Sequence, residues 1–253
     1  MNMTRSERIP TKRTNQQMKK TAVIILFFQL FLSCNGVNNK VAYSQKLEFG
    51  YNGAVKKVTT YICEVKFDKI PTDTTNYIGK RTTTFDSLGN TLKAVEVSNL
   101  SDYKTEFVTI FSGKGKNRTF QQKHSFGTDD IEENNYKYVW SDDYNFKIVP
   151  IGKSGKFELI TTSTLDKNFR VIKTTYASKD TIRITDEFKY IGKAEKIHKR
   201  TVNEGNNKRI IIQVIVPKEY DQYGNPTLLY NYTDTDKQKI QNVLFTEYEY
   251  YEK

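Results

Sequence analysis

Apolar residues in this chain recur at every second position more often than at every third or fourth. The alternation is cleanest from Thr181 to Tyr190. Ile182, Ile184, Phe188 and Tyr190 share one face, with Asp186 out of type among them, and Thr181, Arg183, Thr185, Glu187 and Lys189 share the other. Period two over such a length predicts a half-buried strand. Lys208 to Val216 departs from it. Ile210, Ile212, Val214 and Val216 fall on one face, and Ile211 and Ile215 on the other with Gln213 between them. A strand apolar on both faces predicts the most buried element of the domain, covered on both sides by a second sheet, a curled barrel wall or a ligand. Phe107, Val108, Ile110 and Phe111 predict a second strand of this kind. Cys63 alternates in phase with Tyr61, Val65 and Phe67, which predicts an inward-pointing thiol acting as a small hydrophobe.

Turn signals separate these runs at short intervals, among them Asn52-Gly53, Gly113-Lys114-Gly115-Lys116, Gly152-Lys153-Ser154-Gly155 and Glu204-Gly205-Asn206. Residues 45–253 therefore read as one all-β domain, an antiparallel meander of hairpins forming a twisted sheet, a sandwich or an open barrel. No amphipathic helix stands out, and Lys193–Arg200 fits a short helix or a hairpin equally. Asp68–Lys80 and Gly127–Asn135 read as longer loops.

Two of the turns share a pattern, aromatic-Asp-x-x-Gly-Asn. Phe85, Asp86, Gly89 and Asn90 carry it once, and Tyr220, Asp221, Gly224 and Asn225 carry it again; Leu165-Asp166-Lys167-Asn168-Phe169 is a relative lacking the glycine. The aromatic would anchor the strand, Asp would cap the turn, Gly would take the left-handed position and Asn would tolerate it. The pattern resembles the YD repeats of the RHS family and of small envelope lipoproteins from Bacteroidetes-like bacteria. The resemblance covers two or three turns and implies stacked antiparallel hairpins, not a toxin shell.

The N-terminal segment changes the picture of where the domain works. Met18 to Cys34 (MKKTAVIILFFQLFLSC) has a basic start, an uncharged and mainly apolar core, and a small residue before the cysteine. That is the layout of a secretory signal peptide, and the core is too short to span a bilayer, which needs about 20 residues. Phe31-Leu32-Ser33-Cys34 resembles the lipobox of bacterial lipoproteins, with Phe31 where that family usually has Leu. The resemblance implies that Cys34 is acylated through a thioether and becomes the first mature residue. Residues 1–17 read as a disordered leader or a mis-assigned start, 18–33 as the signal peptide and 34–44 as a lipidated tether.

Composition then limits the chemistry. The chain has 253 residues and a net charge of +11, but residues 1–33 hold six Lys/Arg against one Glu, so the part from Cys34 onward carries +6. A nucleic-acid partner loses most of its support with the leader removed. There are two histidines, His124 and His198, and neither has a neighbouring ligand at metal spacing. The acidic run Asp129-Asp130-Ile131-Glu132-Glu133 lacks the glycine and alternation of a calcium loop, and Asp234-Thr235-Asp236 is weaker. Gly152-Lys153-Ser154 lacks the rest of a phosphate loop. No cofactor is implied. Tyr136, Tyr138, Trp140 and Tyr144 crowd one strand-turn and are candidate ligand contacts, since Tyr and Trp pair an apolar face with a polar edge; strand packing explains them as well.

These readings converge on a non-catalytic envelope lipoprotein acting in binding or assembly. Its expected partners are a membrane, through the lipid on Cys34, and an unidentified envelope ligand or protein. Asn35 lacks the inner-membrane retention signal and residues 35–40 lack an acidic surface-display cluster, which favours the outer membrane, facing the periplasm. Two alternatives stay open: a lipid or lipoprotein carrier with an apolar cavity, and a carboxylate-based hydrolase assembled by the fold.

Overall fold

The computed structural model describes residues 42–100, 103–125, 131–152, 159–178, 182–192 and 195–252. The leader, the signal segment, Cys34, Asp129 and Asp130 lie outside the described residues. From Tyr43 the chain forms one compact unit. It opens with a single helical turn, α1 (Gln45–Glu48), followed by the strands β1 (Val55–Glu64), β2 (Tyr77–Phe85), β3 (Thr91–Leu100), β4 (Tyr103–Lys114), β5 (Asn117–Ser125), β6 (Ile131–Trp140), β7 (Asn145–Pro150), β8 (Leu159–Leu165), β9 (Val171–Ser178), β10 (Ile182–Ile191), β11 (Glu195–Glu204), β12 (Asn207–Tyr220), β13 (Pro226–Tyr232) and β14 (Ile240–Tyr250). Each strand pairs antiparallel with the next, and β14 returns to β1 in a register that sets Cys63 opposite Val243. The all-β meander is thus a closed barrel.

Closure explains the alternation. About eight strands make a barrel that side chains can fill; a wider wall encloses a cavity. Residues such as Thr60, Phe111, Phe120, Phe188, Ile215 and Leu244 face that interior. The outward positions carry charge. Lys57–Glu249, Lys123–Glu133 and Glu187–Lys199 are directly opposed across neighbouring strands and lie 2.7, 3.0 and 3.1 Å apart. Exposed pairs of this kind add little stability.

Several expectations shift. The strand β12 is not doubly covered: Ile210 is 50% and Ile212 38% exposed, although Val214 is buried. Ile110 on β4 is likewise exposed. Val214 shares the face of Ile210 and Ile212, opposite the cavity-lining Ile215, so the outer face of β12 is covered at Val214 and wet at Ile210 and Ile212. Cys63 is buried, 1% exposed, and burial raises its thiol pKa, but it does not point into the barrel. It stands opposite Val243, on the face away from the cavity-lining Leu244, with its thiol 3.7 Å from the Asp73 carbonyl of the β1–β2 loop. Its phase-mate Phe67, however, is left exposed in the β1–β2 loop, where its φ is 52°. Of Lys193–Arg200, the described part from Glu195 lies in β11, and the stretches read as long loops give way to β2 at Tyr77 and to β6 at Ile131. Gln45–Glu48, at the start of the stretch read as all-β, is helical; its residues favour helix, and Gly50 at φ 74° ends the turn.

Candidate functional site

The segment from Tyr43 to Asn52 closes one end of the barrel, and the hairpin turns at that end hold it. In each turn the Asp carboxylate accepts backbone N–H groups from two and four residues on. Asp86 takes Leu88 and Asn90 at 3.0 and 2.8 Å, and Asp221 takes Tyr223 and Asn225 at 2.9 and 2.8 Å. Asp166 does the same with Asn168 and Arg170 at 2.8 and 2.9 Å. Gly89 and Gly224 have φ 84° and 77°, and Phe169 takes that position at φ 63°. The glycine-less relative is therefore the same turn with a strained residue. A fourth turn, one residue shorter, is capped by Asp142, which accepts from Tyr144 and Asn145 at 2.7 and 2.8 Å.

The motif's Asn has a different role from the one expected. Neither Asn90 nor Asn225 is left-handed; both are buried bridges. Asn90 Oδ1 accepts the Gly115 N–H at 2.9 Å. Asn225 Oδ1 accepts the Asn52 N–H at 2.8 Å, and its Nδ2 donates to the Asn52 carbonyl at 3.0 Å and to Tyr250 Oη at 2.7 Å. Of the two aromatics, Phe85 is buried with Val55 and Val58 under Tyr51, Tyr248 and Tyr250, while Tyr220 is 43% exposed beside the cavity. Gly89 also lets the plug approach: a Cβ there would stand 2.7 Å from Lys46 Cδ, and the Lys46 N–H donates to the Gly89 carbonyl at 3.0 Å.

Inside the plug, Gln45 donates to Tyr138 Oη at 2.7 Å and accepts the Thr91 N–H at 3.1 Å. Glu48 accepts a hydrogen bond from Tyr43 and borders the cavity. Burial pushes its carboxyl up to about 7, against the pull of the Tyr43 bond and the charges of Arg118 and Arg81. Arg118 lies beneath, 2% exposed, bonded to the Thr91 carbonyl and with its guanidinium over the Phe111 ring; its Nε and Nη1 have no partner among the described residues.

Beyond the plug the cavity has a volume of about 1150 Å³. Its apolar lining includes Phe111, Phe120, Phe146, Ile148, Tyr176 and Leu229, and its charged lining includes Arg81, Glu96, Arg170, Lys196 and Arg200. One polar cluster links three strands. Asp186 accepts from Arg200 Nε and Nη2 at 2.7 and 2.9 Å and lies 2.7 Å from His198 Nε2; His198 Nδ1 is 3.2 Å from Gln213. Burial opposes ionisation of Asp186, but the bonds from His198 and Arg200 and the guanidinium charge outweigh it and hold the carboxyl down to about 2. Sequence reasoning missed this cluster. Its signal was Asp186 itself, a carboxylate on an otherwise apolar strand face.

The four candidate aromatics do not form one surface. Tyr138 lines the cavity. Tyr136 is buried and stacks on Phe120, Trp140 packs against Tyr43 and Phe146, and Tyr144 stacks on Phe169 in a turn. Glu132 and Glu133 are strand neighbours and so point to opposite faces, and Glu133 is paired with Lys123. Asp234 caps a turn, accepting from Gln238 at 3.1 Å. Among the described residues no group of three or more His, Cys, Asp or Glu is placed to hold a metal ion, and no helix is long and apolar enough to cross a membrane. Comparison with protein-family models, with curated proteins and with solved structures finds no match.

Proposed function

We propose that this chain is a lipid-anchored envelope protein whose barrel interior binds a small, mainly apolar ligand. The observation that carries the reading is the cavity: about 1150 Å³, at or above the roughly 300–1,000 Å³ usual for ligand pockets, lined by Phe, Tyr, Ile and Leu with a few charged groups. This favours the carrier form of binding over a flat assembly scaffold. The charged outer wall supports it, because a Lys at the midplane of a lipid-facing wall costs about 2–4 kcal/mol. Anchoring then falls to the acylated Cys34, and the outer membrane facing the periplasm is the location we assign.

Catalysis is less well supported. Glu48, with its carboxyl near 7, has the character of a general acid. A hydrolase would need a second free carboxylate or a nucleophile facing it. The other carboxylates bordering the cavity are engaged, Glu96 with Arg81 and Glu195 with Lys237, and Asp186 behind them is held by Arg200.

Native mass spectrometry of the protein extracted from its own membranes tests the binding reading. An adduct of discrete mass, lost when Phe120→Trp and Ile148→Trp fill the cavity in a folded barrel, is the expected result. Adduct retention in that filled variant would overturn it.

A further inference from the structure

We propose that the cavity takes an anionic amphiphile, its acidic head on the ammonium group of Lys196 and its apolar body along Ile215, Leu229 and Leu244. The inference rests on reading the barrel interior as a ligand site and names the chemistry of that ligand. Lys196 lies on β11, opposite Tyr190 on β10 and Ile215 on β12, and borders the cavity. Its ammonium stands 5.3 Å from the centre of the Phe188 ring. Among the described residues no carboxylate forms an ion pair with it.

The other cations that line the cavity are paired with carboxylates. Arg81 meets Glu96 at 3.3 Å, Arg170 meets Asp166 at 2.7 Å and Arg200 meets Asp186 at 2.7 Å. The carboxylate adjacent to Lys196 in sequence, Glu195, is drawn off to Lys237. Burial alone lowers the Lys196 pKa, with no charge acting to restore it. A ring face compensates only in part for the water an ammonium loses on partial burial. The site therefore keeps a cation at a cost that an acidic head group would remove. Phe188 and Ile215 beside it are apolar, and the Tyr190 hydroxyl opposite it already donates to the Val171 carbonyl at 2.9 Å. Leu229 and Leu244 continue the apolar lining, so the acid should carry an apolar body.

Binding to the full chain carrying Cys34→Ser, which removes the acylation site, tests this by displacement of the fluorophore anilinonaphthalene sulfonate. The probes are palmitate, dodecyl phosphate, hexadecanol and inorganic phosphate, each below its micellar limit. Both acids should bind at least about 10-fold tighter than hexadecanol, the range of one charge-assisted hydrogen bond. Lys196→Met should bring them down to the alcohol's affinity while leaving the alcohol unchanged, and Lys196→Arg should restore most of the difference. Acid binding that survives Lys196→Met overturns the head-group assignment and leaves the cavity reading standing. Inorganic phosphate competing as well as dodecyl phosphate would show a site for a free anion and overturn the amphiphile. If neither fluorophore nor any probe binds, the cavity reading fails with the proposal. Circular dichroism of Lys196→Met confirms that any loss is of binding, not of fold.

Discussion

Replacing Glu48 by Gln isolates the electrostatic cost of the plug. Gln keeps the shape and an oxygen that can accept from Tyr43, and replaces the ionisable oxygen with an uncharged NH2 group. In the unfolded chain the carboxyl titrates near its ordinary 4.5, whereas in the plug burial holds it at about 7. A folded pKa above the unfolded one means that the native state binds more protons between these values. The wild-type protein therefore loses stability as pH rises from about 4.5 to about 7, then levels off. At about 1.4 kcal/mol per tenfold change in proton affinity, the ionised carboxylate costs the fold at most about 3 kcal/mol at pH 8. Residual access to the cavity reduces that figure. Glu48→Gln should therefore match the wild type at pH 4, and exceed it by about 1–3 kcal/mol at pH 8. Urea unfolding followed by far-ultraviolet circular dichroism at pH 4, 5, 6, 7 and 8 measures both. A difference between the two proteins that does not change with pH would refute the reasoning, as would a less stable Gln variant at pH 8.

Asp186→Asn should behave in the opposite sense. Its folded pKa of about 2 lies below the ordinary 3.8, so the stability it contributes, about 2 kcal/mol, should be present at pH 5 and fade as pH falls from about 4 to 2 in urea titrations. Gly113→Ala should be far worse than Gly115→Ala, by more than about 1 kcal/mol in the same assay. Both have positive φ, but a Cβ on Gly113 would stand 2.2 Å from the Asn117 carbonyl oxygen while Gly115 faces open space. On β12, Val214→Ala should cost about 2 kcal/mol and the exposed Ile210→Ala under about 1, which thermal unfolding can rank. Cys34→Ala should yield an unprocessed or soluble product, and mass spectrometry of the native N-terminus should find an acylated cysteine; a free thiol there in membrane-extracted protein would remove the anchor.

What could be read from the sequence is what depends on near neighbours. The turns at Asp86, Asp166 and Asp221 are legible because the capping carboxylate and the N–H groups it accepts lie within four residues. The turn at Asp142 escaped because it lacks the glycine and is one residue shorter. Strand existence followed from period two, but its direction did not. Ile210, Ile211 and Ile212 give β12 two apolar faces, and composition alone cannot say which one a closed wall leaves wet. The plug was hidden for another reason. Gln45 meets Tyr138, 93 residues away, and a single helical turn has no period to detect. The Asp186 cluster joins β10, β11 and β12, so only the register between them brings His198, Arg200 and Gln213 together.

The frame and the cavity meet at the plugged end of the barrel. The buried apolar cluster, Val55, Val58 and Phe85 beneath Tyr51, Tyr248 and Tyr250, lies at the plugged end, where the Asx turns and Asn225 tie β1, β13, β14 and the N-terminal segment together. Tyr51 and Tyr248 of that cluster also line the cavity, and Lys196 borders it on β11, four residues past Gly192 of the β10–β11 turn. Apolar burial stabilises in proportion to area removed from water, so the plugged end should supply much of the stability, and the cavity little. Changes at Lys196 can then alter what the protein holds without opening the wall. Changes at Asn225 or Phe85 loosen the frame before they alter any ligand contact. A protein selected only for stability would fill such a cavity and pair its half-buried Lys196 with a carboxylate. That this barrel does neither is the physical ground for assigning its interior to a ligand.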